Sequence, residues 1–262
     1  MYWIIKGYNH PEYGYIAIPY RLGDKRIELG EMHRIVPESM LRYVDCIGRY
    51  AVVLPHNMID LYIDPSKVLE IRMSELPGVI VELLEQLDPE WAGITGSWAV
   101  FSEKRGSDVD LLLYSYSHES IYDRLTKLKN QGLISDCNLR KHNLDIPRQH
   151  GFQLLDACYK GIKYTLRILR RIDKAPCSDI IIPIGKYQGL IRITSSREAY
   201  LVPAIYDAII DDLGEIVIET WHTRYQEMLP GIYIANLNLS YDLKRGTILA
   251  SPDIDGFIEG IG

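Results

Sequence analysis

The spacing of apolar positions changes character along the chain, and each change predicts a different kind of element. Up to about Ile71 the apolar residues fall in short runs at 15–19, 50–54 and 59–63, separated by Gly and Pro, which predicts a small strand-rich module. A helix follows: Ser74 can cap it, Pro77 falls in its first turn, and Leu76, Ile80, Leu83, Leu84 and Leu87 keep helical spacing until Asp88-Pro89. Residues 91–95 then read as a strand, Gly96-Ser97 as a turn into a short helix, and 109–114 as a Leu-rich buried strand. Ser117 opens a helix carrying Ile121, Leu125 and Leu128 on one face. A helix over 152–159 and a strand over 162–169 complete the middle of the chain. From Asp179 the period is that of strands, at 180–184, 190–194, 216–220, 231–235 and 247–250, with a hairpin turn at Gly185-Lys186-Tyr187-Gln188-Gly189.

The expected architecture is therefore α+β. Its centre is a core of mixed sheet and helices over 73–175, flanked by the strand-rich module 1–72 and a β-rich, barrel-like module 176–262. A length of 262 residues is ample for such a division. Hydrophobic residues at 47% and charged ones at 24% are ordinary for a globular protein, and no apolar run approaches the ~18 residues of a membrane helix. The opening Met1-Tyr2-Trp3-Ile4-Ile5-Lys6-Gly7 is too quickly polar for a secretory signal, so a cytoplasmic location is expected. A net charge of −6 disfavours a general nucleic-acid binder. Cys46, Cys137, Cys158 and Cys177 are spaced for neither a zinc site nor a disulfide framework, and are expected as buried thiols.

Candidate chemistry concentrates in Gly96-Ser97-Trp98 and in Gly106-Ser107-Asp108-Val109-Asp110-Leu111. On a strand, Asp108 and Asp110 project to one side while Val109 and Leu111 face the core. Two neighbouring carboxylates repel unless a cation lies between them, and Mg²⁺ or Mn²⁺ prefers carboxylate and phosphate oxygens. A Gly-Ser turn allows close approach of a phosphate and offers it a hydroxyl and an amide.

This motif pair resembles that of the nucleotidyltransferase superfamily, the polymerase-beta-like enzymes, over residues 74–171. The layout is also similar to that of uncharacterised archaeal proteins identified as nucleotidyltransferases, which place a His-Pro segment, here His10-Pro11, before a strand like Ile16-Ala17-Ile18-Pro19-Tyr20. The resemblance implies Mg²⁺ held by Asp108 and Asp110 and a nucleoside triphosphate contacted by Gly96, Ser97 and Ser107. A hydroxyl acceptor, on RNA or a small molecule, would attack the α-phosphate and release pyrophosphate. Lys163 and Arg167 are expected to grip phosphate.

Members of that superfamily carry a third carboxylate on a later strand. The polar face of 162–169 shows Lys163, Thr165 and Arg167, with Thr165 about where the acid belongs. Asp136, Asp145 and Asp156 are the substitutes at hand, although Asp156 lies in a helical pattern. A non-catalytic nucleotide-binding or scaffold protein is accordingly the alternative. Asp253-Ile254-Asp255-Gly256 reads as an exposed turn, and His10 as a structural residue.

Overall fold

The computed structural model describes residues 1–5, 10–27, 32–100, 108–137, 153–170, 177, 179–253 and 255–261. The chain divides into two units. One comprises Met1–Tyr62, Ile172–Tyr187 and Leu237–Ala250, and the other Ile63–Arg171, Gln188–Asn236 and Ser251–Gly262. The expected modules 1–72, 73–175 and 176–262 are consecutive, whereas these units are interleaved along the chain.

In the first unit, β1 (Tyr2–Ile5), β2 (Gly14–Leu22), β3 (Lys25–Arg26), a single turn α1 (Met32–Ile35), β4 (Leu41–Val44) and β5 (Arg49–Pro55) follow in order. The strands form an antiparallel sheet in the order β1-β2-β5-β4, with β3 on β2. The segment 59–63, expected as a strand, forms none. Val44, Cys46 and Val53 are the buried residues of a small core, against which Cys177 packs through a Cys46–Cys177 disulfide.

The second unit opens with α2 (Pro65–Arg72), capped by Asp64, whose carboxylate accepts the Ser66 amide at 2.9 Å and the Ser66 hydroxyl at 2.7 Å. The helix α3 (Gly78–Leu87) buries Ile80, Leu83, Leu84 and Leu87 at helical spacing and ends at Asp88 in the left-handed conformation. Next come β6 (Trp91–Thr95), the turn α4 (Gly96–Val100), β7 (Val109–Tyr114), α5 (His118–Asn130), β8 (Ile134–Ser135), β9 (Asp156–Tyr159) and β10 (Ile162–Leu169). The sheet order is β6-β7-β10-β9-β8; β7 and β10 run parallel and the other neighbours antiparallel. One face of this sheet supplies Ile94, Val109, Leu111, Leu113, Tyr164, Leu166 and Ile168 to a core shared with α3 and α5. The other face is half-exposed.

Farther along lie β11 (Ile181–Glu198), β12 (Leu201–Val202), β13 (Ala204–Ile210), β14 (Gly214–Thr220), β15 (Gly231–Asp242), β16 (Thr247–Ser251) and β17 (Phe257–Gly260). Of these, β12 runs parallel to β10. Within the second unit, β13 pairs with β11 and in a tight hairpin with β14, and β15 pairs with β17, all antiparallel. Alternate residues Ala204, Tyr206, Ala208 and Ile210 are buried, as period-2 patterning requires.

Three expectations need correction. The chain does not form a helix-containing nucleotidyltransferase core: among the described residues 48% lie in strands and 24% in helices, with several sheets and few helices, so the α+β class holds only in part. The helix expected over 152–159 is one reason, since Asp156–Tyr159 is a strand; Lys160 and Gly161, at φ 47° and 84°, join it to β10 in a two-residue hairpin turn. The hairpin expected at 185–189 is absent as well, because β11 runs unbroken through both glycines. Finally, no described cysteine is a thiol: Cys46 pairs with Cys177, and Cys137 with Cys158. Cys158 lies on β9, which pairs with β8 just ahead of Cys137, and Cys46 lies in the turn between β4 and β5; spacing alone reveals neither pairing. Among the described residues no helix is long and apolar enough to cross a membrane.

Candidate functional site

On the half-exposed face of the second unit's sheet, register aligns a row of polar residues. Thr95 on β6 pairs with Asp110 on β7, Asp110 with Thr165 on β10, and Thr165 with Asp156 on β9. Residues directly opposite across paired strands share a face with their Cβ atoms ~5 Å apart. Asp110, Thr165 and Asp156 therefore stand side by side. One step along, Asp108 immediately precedes β7, and the ammonium of Lys163 on β10 lies 3.6 Å from Asp108 Oδ2 and 4.0 Å from Asp156 Oδ1. The Thr165 hydroxyl donates to Asp108 Oδ2 at 3.5 Å, the weak limit of a hydrogen bond.

Arg167 follows on the same face of β10. Burial depresses its pKa, and the charges of Asp110 and Asp156 counter that effect. Three carboxylates thus face two cations, leaving one negative charge in excess. The guanidinium is weakly hydrated, which makes Arg the cation best suited to such a half-buried position.

Gly96 is built into this row. It has φ +66°, and a Cβ there would lie 1.9 Å from Asp110 Oδ2 and 2.8 Å from its Cγ, so the Asp110 carboxylate occupies the space that any side chain would need. The next residue, Ser97, is half-buried, and Trp98 anchors the turn in the core. Since α4 is only five residues long, its backbone dipole contributes little, and closeness to Asp110 is what the Gly-Ser turn supplies. Ser107 and Asp145 lie outside the described residues. Asp136 is paired with Lys129 at 3.5 Å instead of joining the row.

Asp156, which apolar spacing predicts within a helix, stands on β9. The signal that identifies it is the run Asp156-Ala157-Cys158-Tyr159-Lys160-Gly161-Ile162, alternation broken by an X-Gly turn, which specifies a hairpin and so sets Asp156 opposite Thr165. A carboxylate does accompany the pair on β7, one strand beyond the position Thr165 holds.

Among the described residues no three His, Cys, Asp or Glu side chains are gathered closely enough to hold a cation by themselves. Mg²⁺ is commonly held by one or two carboxylates with the remaining positions filled by water and substrate phosphates. Asp108 and Asp110, two residues apart at the start of one strand, fit that mode of binding.

The other polar candidates have structural partners. His10 Nδ1 accepts the Ile16 amide at 3.2 Å. Asp253 accepts the Thr220 hydroxyl at 2.5 Å and the Trp221 amide at 2.8 Å, fixing a chain reversal. Lys186 stands within β11. Set against protein-family models, curated proteins and solved structures, the chain matches none of them, and the functional reading rests on the chemistry of this face alone.

Proposed function

We propose that the chain is a Mg²⁺-dependent nucleotidyltransferase that moves a nucleotidyl group from a nucleoside triphosphate to a hydroxyl acceptor on RNA or a small molecule. The observation that carries this reading is the row Asp110-Thr165-Asp156, with Asp108 beside it and the Gly96 backbone against the Asp110 carboxylate. The activity is argued from this site and the Gly96-Ser97 and Asp108-Val109-Asp110 motif pair, and not from the fold.

Bound Mg²⁺ would neutralise phosphate charge and orient the α-phosphate for in-line attack. Asp108 and Asp110 would hold it, and Ser97 would donate to a phosphate oxygen. Lys163 lies within 4.0 Å of two carboxylates and is the cation that can turn to an incoming phosphate. Arg167, half-buried, would offset part of the negative charge of Asp110 and Asp156 while phosphate binds. Asp156, in register with Thr165, is the carboxylate that can take the proton of the acceptor hydroxyl. A cytoplasmic setting suits a consumer of nucleoside triphosphates; two disulfides in that compartment would be uncommon outside hyperthermophiles.

A specific observation favours a second reading, a non-catalytic nucleotide-binding scaffold. Thr165 holds the place directly opposite Asp110, and Lys163 and Arg167 already balance most of the acidic charge. Pyrophosphate release with each nucleoside triphosphate and Mg²⁺ separates the two. Nucleotidyl transfer requires turnover that falls at least about a hundredfold in both Asp110→Asn and Asp156→Asn while far-ultraviolet dichroism is unchanged. Metal-dependent nucleotide binding with no pyrophosphate from the wild type would leave the scaffold reading in its place.

A further inference from the structure

At the other end of the same sheet face, Trp91 on β6 pairs with Tyr114 on β7, and Tyr114 with Leu169 on β10. These three side chains line a groove of about 500 Å³ together with Glu90, Tyr116 and Arg170. Tyr114 is four residues beyond Asp110, so the groove and the carboxylates lie on one face about 13 Å apart along the strand. Pro65 of α2 packs over Gly93 on β6, while Leu112 and Arg167 span the interval on β7 and β10.

The groove has three kinds of wall. Tyr114 and Tyr116 meet edge to face with ring centroids 5.7 Å apart, and Tyr116 is 63% exposed, a large aromatic surface left open to water. Arg170 is held by both oxygens of Glu198, through Nη1 at 3.0 Å and through Nη2, which fixes the plane of its guanidinium. Glu90 is held too: its Oε1 accepts the Tyr116 amide at 2.7 Å and the Ser115 hydroxyl at 3.1 Å, while among the described residues its Oε2 accepts nothing. Flat aromatic and guanidinium surfaces around an open carboxylate oxygen suit a planar heterocycle with a donor on its edge. An anion would be repelled by Glu90, and a lipid chain would have no use for it.

We infer that this groove is a stacking site for a nucleobase, with the base against Tyr116 and Trp91 and an N–H of its edge donating to Glu90 Oε2. In assigning that base to the nucleotide substrate the inference rests on nucleotidyl transfer at Asp108 and Asp110; as a binding site it rests on the groove alone. The separation from Asp110 is within the span of one nucleotide.

Nucleosides without phosphate, titrated into the full chain by calorimetry in the presence of a chelator, test the groove independently of the metal. Adenosine, cytidine, guanosine and uridine bind, N3-methyluridine, which has no edge donor, binds more weakly, and Tyr116→Ala lowers affinity about tenfold or more. Glu90→Gln brings the donor-bearing nucleosides down toward N3-methyluridine. Tyr116 is exposed, so its replacement leaves folding intact. Nucleoside binding without metal-dependent triphosphate binding would uphold the groove and remove the transfer reading. Triphosphate binding that needs Mg²⁺ and is unmoved by Tyr116→Ala, with no nucleoside bound, would overturn the groove and spare the carboxylates.

Discussion

Gly96 is the residue on which the geometry of the carboxylate row depends most. Its positive φ and its contact with Asp110 both exclude a Cβ, so Gly96→Ala must shift either the backbone or the carboxylate. We expect a loss of about 1–3 kcal/mol in unfolding free energy and a larger proportional loss of Mg²⁺-dependent nucleotide binding. Chemical denaturation and calorimetry on the same preparation check this, and unchanged nucleotide affinity would show that the contact is only structural. Residues of this kind differ in how readily the sequence reveals them. Asp108 and Asp110 flank Val109 on a strand whose alternation is plain, so their shared face follows from period-2 geometry. Asp156 sits in a run whose apolar spacing also fits a helix, and only the turn at Lys160-Gly161 decides between the two. The closeness of Gly96 to Asp110 depends on the pairing of β6 with β7, a long-range fact that no local pattern carries.

At the scale of elements, Glu227 ties the approach to β9 to α5. It accepts the Leu154 amide at 2.9 Å, the Leu155 amide at 3.4 Å and the Tyr122 hydroxyl at 3.0 Å, just ahead of Asp156. Burial pushes its pKa up to about 7, against the opposing pull of those three donors and of the Lys129 charge; the hydroxyls of Tyr164 and Tyr206 also face it. In the unfolded chain the group ionises near its ordinary value of 4.5. Between these values the folded state holds more protons, so this group's contribution to stability is greatest below 4.5 and declines as pH rises to about 7, then stays level. The decline is on the order of 3 kcal/mol. Glu227→Gln keeps an acceptor oxygen for the Leu154 amide and the Tyr122 hydroxyl, gives up the long 3.4 Å bond from the Leu155 amide, and should be more stable than the wild type at pH 8 but not at pH 4, as melting temperatures across that range will show. An equal difference at both pH values would mean that Glu227 is ionised throughout. The elements themselves were legible to different degrees. α3, α5, β7 and β10 announce themselves through period, whereas β11 hides its continuity behind Gly185 and Gly189, because glycine marks a turn in local sequence but is accommodated within a paired strand.

For the whole molecule, the disulfide Cys46–Cys177 joins positions 131 residues apart, and both belong to the first unit, where Cys46 packs with Val44 and Val53. Opening so long a loop returns roughly 4–5 kcal/mol of chain entropy to the unfolded state. The variant Cys46→Ala/Cys177→Ala should therefore lose amide-exchange protection in β4 and β5 while α3 in the second unit keeps its own. Uniform loss in both units, or none in either, would contradict that assignment. The interleaving of the units has a further outcome for biosynthesis. The first unit is complete only once the chain has been synthesised to Ala250, at the end of β16, and the second only after β17, so folding on the ribosome cannot proceed one finished unit after another. A nascent chain halted near residue 175, where a division into successive modules would expect two finished pieces, carries the acidic row yet lacks part of each body, and it would engage chaperones or proteases as an incomplete protein rather than as a free-standing enzyme.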